Sequence, residues 1–271
     1  MILHLQTVPA RNGMLWLRHG FKVFQRRPVA LAGLFSLFLF ASMLMLMVPG
    51  AGVLLLLMAL PQLSLGFMLA THLVLQNQTP SAVVFLLPFK LTPKRRNTQL
   101  LLGACYALLT LGISLLAGWV DGGSMDQLQQ LMADGAAPEK LAEAAANPAL
   151  LWGAITRLVL AALISIPFWH APALVHWGGQ GLMQALFSST IALWRNRGAF
   201  AYNALLWGTL VMSLGLSASL LAEVLGLAQI LPVLGMACGL LLSTVFYASL
   251  YFTFIDCFMF GAPTELPDNK A

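Results

Sequence analysis

The chain has 271 residues, of which 59% are hydrophobic and 8% charged, with a formal net charge of +5 and a mean hydropathy of +0.84. Soluble domains carry about 25% charged residues, so this composition excludes a soluble globular fold and makes the bilayer the solvent to reason with. Three cysteines, Cys105, Cys238 and Cys257, stand alone in apolar runs; without a C-x-x-C pair they frame neither a disulfide scaffold nor a zinc site and read as small buried hydrophobes.

A short polar entry over residues 1–12 precedes an amphipathic helix expected over Gly13–Arg26. At 100° per residue, Arg18, His19, Lys22, Gln25 and Arg26 share one arc, and Met14, Trp16, Leu17, Phe21, Val23 and Phe24 fill the opposite one. Such a helix either lies in the interface of an anionic leaflet or packs on the protein's own spans with its basic face solvated. No cleavable leader is expected, because residues 1–27 hold five Lys/Arg and no long apolar run.

Span 1 is expected over Pro28–Val48, with Pro28 in the first turn, where its missing N–H costs little. A Pro49-Gly50-Ala51-Gly52 turn leads to span 2, Val53–Leu75, and Pro61 should kink it. Residues 76–97 read as leaving the membrane, with Thr79-Pro80 opening a short helix, SAVVFLLPF, before Lys90, Lys94, Arg95 and Arg96. Span 3 follows over Thr98–Val120.

The substantial polar loop, Asp121–Pro148, is acidic. Ser124 and Gln127 have capping-box spacing, and Pro138-Glu139 opens a second short helix. Span 4 is Ala149–Phe168, continuing irregularly through His170-Ala171-Pro172 to Trp177 and ended by Gly178-Gly179. A second amphipathic helix, Gly181–Asn196, turns Met183, Leu186, Phe187, Ile191, Leu193 and Trp194 to its apolar arc. Span 5 is Ala199–Leu221, span 6 is Ile230–Phe258, and Gly261–Ala271 is a polar tail. Seven glycines, at 50, 103, 112, 118, 208, 215 and 235, are expected to let helices approach closely.

A shift of 170 residues lays the first amphipathic helix on the second: Leu17, Phe21 and Phe24 fall on Phe187, Ile191 and Trp194, and Arg27 falls on Arg197. The expected fold is therefore all-α, a polytopic membrane bundle of about six spans with interfacial amphipathic helices and a parallel internal repeat. The single membrane domain, residues 1–271, divides into units 13–75, 79–177 and 181–258.

Orientation follows from the basic residues. With the N-terminus cytoplasmic, twelve of the fourteen Lys/Arg lie inside, all but Lys140 and Arg157. The positive charge is then a topology signal and an anionic-lipid face carried by Arg18, Lys22, Arg26, Arg27, Lys94, Arg95, Arg96, Arg195 and Arg197, and nucleic acid is not an expected partner. Both termini are expected in the cytoplasm of a bacterial cell, with the chain in its inner membrane.

Ionisable groups in spans are candidate functional residues. Arg157 in span 4 could pair with Glu223 or Asp121 at the outer end, snorkel outward, or contact an anion. His72, His170, His176 and Asp256 share one depth at the inner end, where they form either a proton relay or metal site or a set of satisfied interfacial groups. Met43, Met45, Met47 and Met58 alternate in a way that does not put them on one helix face, so they read as filler rather than a metal ladder. No G-x-S-x-G, phosphate loop, dinucleotide fingerprint or H-E-x-x-H is present, so neither catalysis nor a cofactor is expected.

The segments PARNG (Pro9–Gly13), RRPVALAGLF (Arg26–Phe35), PQLSLGFM (Pro61–Met68), FWHAPALVHW (Phe168–Trp177) and LWRNRGAF (Leu193–Phe200) resemble an uncharacterised family of six-span bacterial inner-membrane proteins. More distantly, the chain is similar to the membrane domain that accompanies some glycerophosphodiester phosphodiesterases. Their catalytic barrel is absent from this sequence, so the resemblance implies fold and location and no phosphodiesterase activity. The functional expectation is an accessory, assembly or lipid-interacting component with a protein partner or a second copy of itself. The alternative is a transporter of a small molecule or lipid along a path between the repeats.

Overall fold

The computed structural model describes residues 3–226 and 228–260. The polar tail and Lys270 lie outside the described residues. Six helices are long and apolar enough to cross a membrane, and the fold is an all-α polytopic bundle. The spans are α2 (Pro28–Leu46), α3 (Gly52–Leu75), α4 (Pro93–Val120), α7 (Pro148–Phe168), α10 (Arg197–Val224) and α11 (Leu231–Cys257). Helices α1 (Asn12–Arg26) and α9 (Leu182–Arg195) lead directly into α2 and α10. Between spans lie α5 (Ser124–Ala133), α6 (Pro138–Ala145) and the short α8 (Ala171–His176).

Several spans begin where the sequence supplies a start. Pro28, Pro93 and Pro148 occupy the first turn of α2, α4 and α7, and the Asn147 side chain accepts from Ala149 N–H. The break after α8 is a glycine with φ +63 at Gly179, a left-handed conformation that favours glycine.

Helices α3 and α11 form the centre. Helix α3 packs on α2, α4, α8 and α11, while α11 packs on α1, α2 and α3. The core is concentrated at one end, around Leu65–Ala70 of α3, Ala171–Val175, and Leu250–Phe254 of α11. This is the end carrying α1, α9 and most basic residues, and we call it the basic end. The opposite, loop end carries α5 and α6. There α10 and α11 are nearly bare, with Val211, Met212, Leu216, Val233, Leu234 and Met236 all exposed, as suits apolar side chains solvated by lipid tails.

Close approaches are made by a different set of glycines from the one expected. A Cβ on Gly13 would meet the Ala199 carbonyl at 2.5 Å, one on Gly20 the Ser249 Cβ at 2.8 Å, and one on Gly103 the Met58 carbonyl at 2.6 Å. Of the seven glycines named from sequence, Gly103 alone makes such an approach; Gly50 is a turn with φ +72, and Gly112, Gly118, Gly208, Gly215 and Gly235 face open space. No other described part of the chain comes within 4 Å of a Cβ at those five positions.

Four other local expectations are corrected. Residues 3–5 form a strand, β1, that pairs antiparallel with β2 (Phe258–Phe260), Leu5 opposite Phe258, so the polar entry is tied to the end of α11. The stretch after Thr79 forms two 3-10 turns, Ala82–Phe85 and Leu87–Lys90, rather than one helix, because Pro88 lacks the N–H an α-helix needs there. That stretch also packs back on the bundle: the Phe85 ring fills the space that Gly66 leaves on α3. At α5, Gly123 is the cap and Ser124 the first helical residue; its Oγ donates to the Asp121 carbonyl at 2.7 Å instead of closing a capping box.

Candidate functional site

Helix α1 is docked by polar contacts as well as by apolar ones. Trp16 is fully buried, and its Nε1 donates to Asp256 Oδ2 at 2.7 Å, which also accepts from Asn12 Nδ2 at 3.0 Å. Asn203 Nδ2 donates to the Gly13 carbonyl at 2.8 Å. Asn196, buried at the break between α9 and α10, accepts from Val8 N–H at 2.8 Å and donates to the Gln6 carbonyl at 3.0 Å. Sequence reasoning gave neither Asn196 nor Asn203 a docking role; Asn196 is an amide at a helix break, set between Arg195 and Arg197.

Helix α9 packs by its small residues. Ala185, Ser189 and Ala192 are buried on α7 and α8, and Ser189 Oγ donates to the Ile166 carbonyl at 2.9 Å. Of the expected apolar arc, Met183, Phe187 and Trp194 face outward at 76%, 68% and 68% exposure, while Leu193 is buried and Leu186 packs against the core. Arg197 lies over the Trp194 ring at 5.6 Å.

Most basic residues of this end are exposed to the surroundings. Arg18, Lys22, Arg26, Arg27, Lys94, Arg96, Arg195 and Arg197 are exposed. Arg27 reaches the Asn77 carbonyl at 3.4 Å, Arg195 the Thr7 hydroxyl at 3.3 Å, and Arg95 the His176 carbonyl at 3.1 Å. Among the described residues, none of them forms an ion pair, and Asp256, the carboxylate at this end, is engaged by Trp16 and Asn12.

The four groups at the inner level do not form one constellation. His72 Nδ1 meets the Tyr251 hydroxyl at 2.8 Å. His170 is fully buried, its Nε2 3.1 Å from Thr253 Oγ1, among the rings of Phe200, Phe254 and Phe258. His176 stands edge-on to Trp177, and Asp256 faces α1. Among the described residues no three His, Cys, Asp or Glu side chains gather as a metal site.

At the loop end, Arg157 Nη2 lies 2.9 Å from Asp121 Oδ2, whose side chain is fully buried. Asp121 Oδ1 also accepts from Gly123 N–H at 3.0 Å. A Cβ on Gly153 would strike Asp121 at 2.5 Å, so the glycine makes room for the pair. Glu223, the other partner considered for Arg157, is exposed and outside the pair.

Among the described residues, the spans enclose a smaller and a larger cavity. A crevice of about 160 Å³ is floored by Pro61, Ser64, Tyr106, Ser165, Trp169 and Tyr247, between α3, α4, α7 and α11. Pro61 has no N–H for the Leu57 carbonyl, which leaves α3 one hydrogen bond short beside this crevice. A larger cavity of about 550 Å³ lies between α2, α3, α4 and the two 3-10 turns, a size within the range of ligand pockets. Met45 and Met58 line it, while Met43 and Met47 face outward. Its wall carries Gln62 and Gln99. Gln62 Nε2 donates to the Gln99 carbonyl at 3.1 Å, Gln99 Nε2 donates to the Pro172 carbonyl at 2.8 Å, and Gln62 Oε1 is buried with no hydrogen-bond partner. Neither glutamine was singled out from sequence, where an amide in a span carries no charge to mark it.

The chain is similar along its whole length to a protein of Burkholderia thailandensis described as a "probable inner membrane protein", 29% identical over 273 residues covering 99% of each chain. No family model matches the chain, and no solved structure matches it. The six apolar spans make it a multi-pass integral membrane protein, and the similarity supports an inner-membrane location. The more distant likeness to the membrane domain of glycerophosphodiester phosphodiesterases gains no support from these comparisons.

Proposed function

We propose that this protein is a non-enzymatic, lipid-interacting accessory or assembly component of the bacterial inner membrane, with the basic end on the cytoplasmic leaflet. The observation that carries the reading is the set of exposed Lys and Arg side chains around α1, the start of α4 and the α9–α10 break, none in an ion pair among the described residues. Each charge near an anionic leaflet contributes about 1 kcal/mol of attraction. Met183, Phe187 and Trp194 supply apolar side chains on the same end, the pairing that holds a helix in an interface.

Lipid composition tests it. Protein extracted with its lipid annulus by a styrene–maleic acid polymer should be enriched in anionic phospholipid over the bulk membrane. A variant with Arg18→Gln, Lys22→Gln, Arg26→Gln, Arg195→Gln and Arg197→Gln should lose most of that enrichment. Equal composition of annulus and bulk in the wild type would remove the basis for the reading. In the same extract, an accessory role predicts a stoichiometric protein partner or a defined homo-oligomer.

Transport is the second reading, favoured by the crevice beside Pro61, whose mostly apolar lining carries the Ser64, Tyr106, Ser165 and Tyr247 hydroxyls. The groups first considered for a path are not gathered there: Pro61 lines the crevice, whereas Arg157 is paired with Asp121 and the histidines face other partners. Substrate-dependent flux in proteoliposomes, lost on Tyr247→Phe, would favour transport over the accessory role.

A further inference from the structure

The crevice beside Pro61 holds about 160 Å³, and an apolar cavity of about 150 Å³ takes up one benzene molecule. Its size therefore suits one six-membered ring. Its walls suit a ring as well, because aromatic faces and edges pack on one another. Tyr106 and Phe168 stand edge-to-face at 5.2 Å on one side, and Phe246 and Tyr247 at 5.7 Å on the other. Among the described residues, no Lys, Arg, His, Asp or Glu lines the crevice. A charged occupant would have no counter-charge there, in surroundings that penalise a bare charge.

The hydroxyls narrow the chemistry further. Ser64 and Ser165 commit their protons to the Pro61 and Ala162 carbonyls, at 2.8 Å and 2.7 Å. The Tyr247 hydroxyl has no hydrogen-bond partner among the described residues, and unlike Gln62 Oε1 it is not sealed from its surroundings. Contacts with Phe35, Phe67 and Phe246 hold its ring in place, so this spare donor is fixed in position. A hydrocarbon tail cannot accept from it, and an unsatisfied polar group at this depth is costly.

The way in is lateral. Helix α7 packs on α4 and α11 packs on α3, but α7 and α11 do not pack on each other, which leaves the crevice open between them. At the basic end, Trp169 Nε1 donates to Thr253 Oγ1 at 3.2 Å and the indole stands edge-on to Phe246. That pair walls the crevice off from the basic end.

We propose that this crevice binds the head of a benzoquinone: one uncharged six-membered ring, a carbonyl of which accepts from the Tyr247 hydroxyl. The ring arrives from the bilayer, and any tail it carries leaves between α7 and α11. The site stands apart from the basic end and goes beyond the lipid-interacting reading given above.

Isothermal titration calorimetry on the full chain in a mild detergent tests the assignment. Duroquinone is the probe. Durene is the same methylated ring without carbonyls, and 2,4,6-trimethylbenzenesulfonate is a charged ring. The wild type should bind one duroquinone saturably, durene about fivefold more weakly, as the loss of one hydrogen bond implies, and the sulfonate not at all. Tyr247→Phe should erase the preference for duroquinone and leave durene binding unchanged, an outcome that mere loosening of the fold would not give. Ser165→Phe should fill the crevice and abolish binding; Ser64→Phe does the same from α3 should the first variant fail to fold. Decylubiquinone, which adds a tail to the head, should bind at least as tightly as duroquinone. Absence of saturable duroquinone binding, equal affinity of the wild type for durene and duroquinone, or undiminished binding by a folded Ser165→Phe protein overturns the proposal. Weaker binding of decylubiquinone than of duroquinone overturns entry from the bilayer. Enrichment of anionic lipid in the annulus reports on the basic end alone, so that reading stands or falls independently of these results.

Discussion

The indole N–H of Trp16 donates to Asp256 across 2.7 Å, joining two residues 240 positions apart in the chain. That bond fixes the first helix to the last turn of the last span. It also takes up the carboxylate that would otherwise face the basic residues of this end. Replacing Asp256 with Leu strands both Trp16 Nε1 and Asn12 Nδ2, which should cost roughly 1–3 kcal/mol. Thermal unfolding in a mild detergent should register the loss, and limited proteolysis should cut within residues 1–27 earlier than in the wild type. Asp256→Asn, which keeps an acceptor, should lie between the two.

The glycine contacts separate two classes of substitution. Gly13→Ala puts a methyl group 2.5 Å from a backbone carbonyl that cannot rotate away, so α1 must shift off α10. A destabilisation of about 1–3 kcal/mol is expected from such overpacking. Gly208→Ala and Gly235→Ala meet open space and should be neutral or slightly stabilising, because alanine is the better helix former by about 1 kcal/mol. Melting curves for the three proteins side by side would decide it.

Asp121 and Arg157 form a pair whose carboxylate side has no contact with solvent. Arg157→Leu leaves that carboxylate buried and alone, whereas the double variant Asp121→Leu, Arg157→Leu removes both charges. The double variant should therefore be more stable than the sum of the singles predicts, with a coupling of about 0.5–3 kcal/mol in a double-mutant cycle. A cycle closing to zero would mean that the two side chains do not depend on each other. Glu223→Gln should leave stability unchanged, since Glu223 is exposed and outside the pair.

What could be read in advance follows from which forces leave a periodic trace. Six spans were legible because a run of about 20 apolar residues has few other uses, and the proline start at Pro28 is a local signal. The packing face of α9 was not marked in the sequence, where its apolar arc read as the face of a surface helix. Inside a membrane the packed side is the small side, here Ala185, Ser189 and Ala192, while Phe187 and Trp194 turn outward. The β1–β2 ribbon left no trace, since three residues at each end of the chain have no period to detect. The Gln62–Gln99 bridge was equally silent: a pairing across two spans is set by how α3 and α4 lie together, and Gly103 against Met58 fixes that register. Of the candidate site residues, Asp121 and Arg157 were brought together, and the His72, His170, His176 and Asp256 level was dispersed among separate partners.

The account turns on which leaflet the basic end meets, because unpaired Lys and Arg gain from an anionic cytoplasmic surface and not from the opposite one. Two-sided cysteine labelling measures this directly. In a background with Cys105→Ala, Cys238→Ala and Cys257→Ser, a membrane-impermeant maleimide is applied to spheroplasts carrying either Arg18→Cys or Ala136→Cys. The Ala136→Cys protein should label in intact spheroplasts, and the Arg18→Cys protein should label only after lysis. Labelling of Arg18→Cys in intact spheroplasts, with Ala136→Cys protected until lysis, would contradict the account.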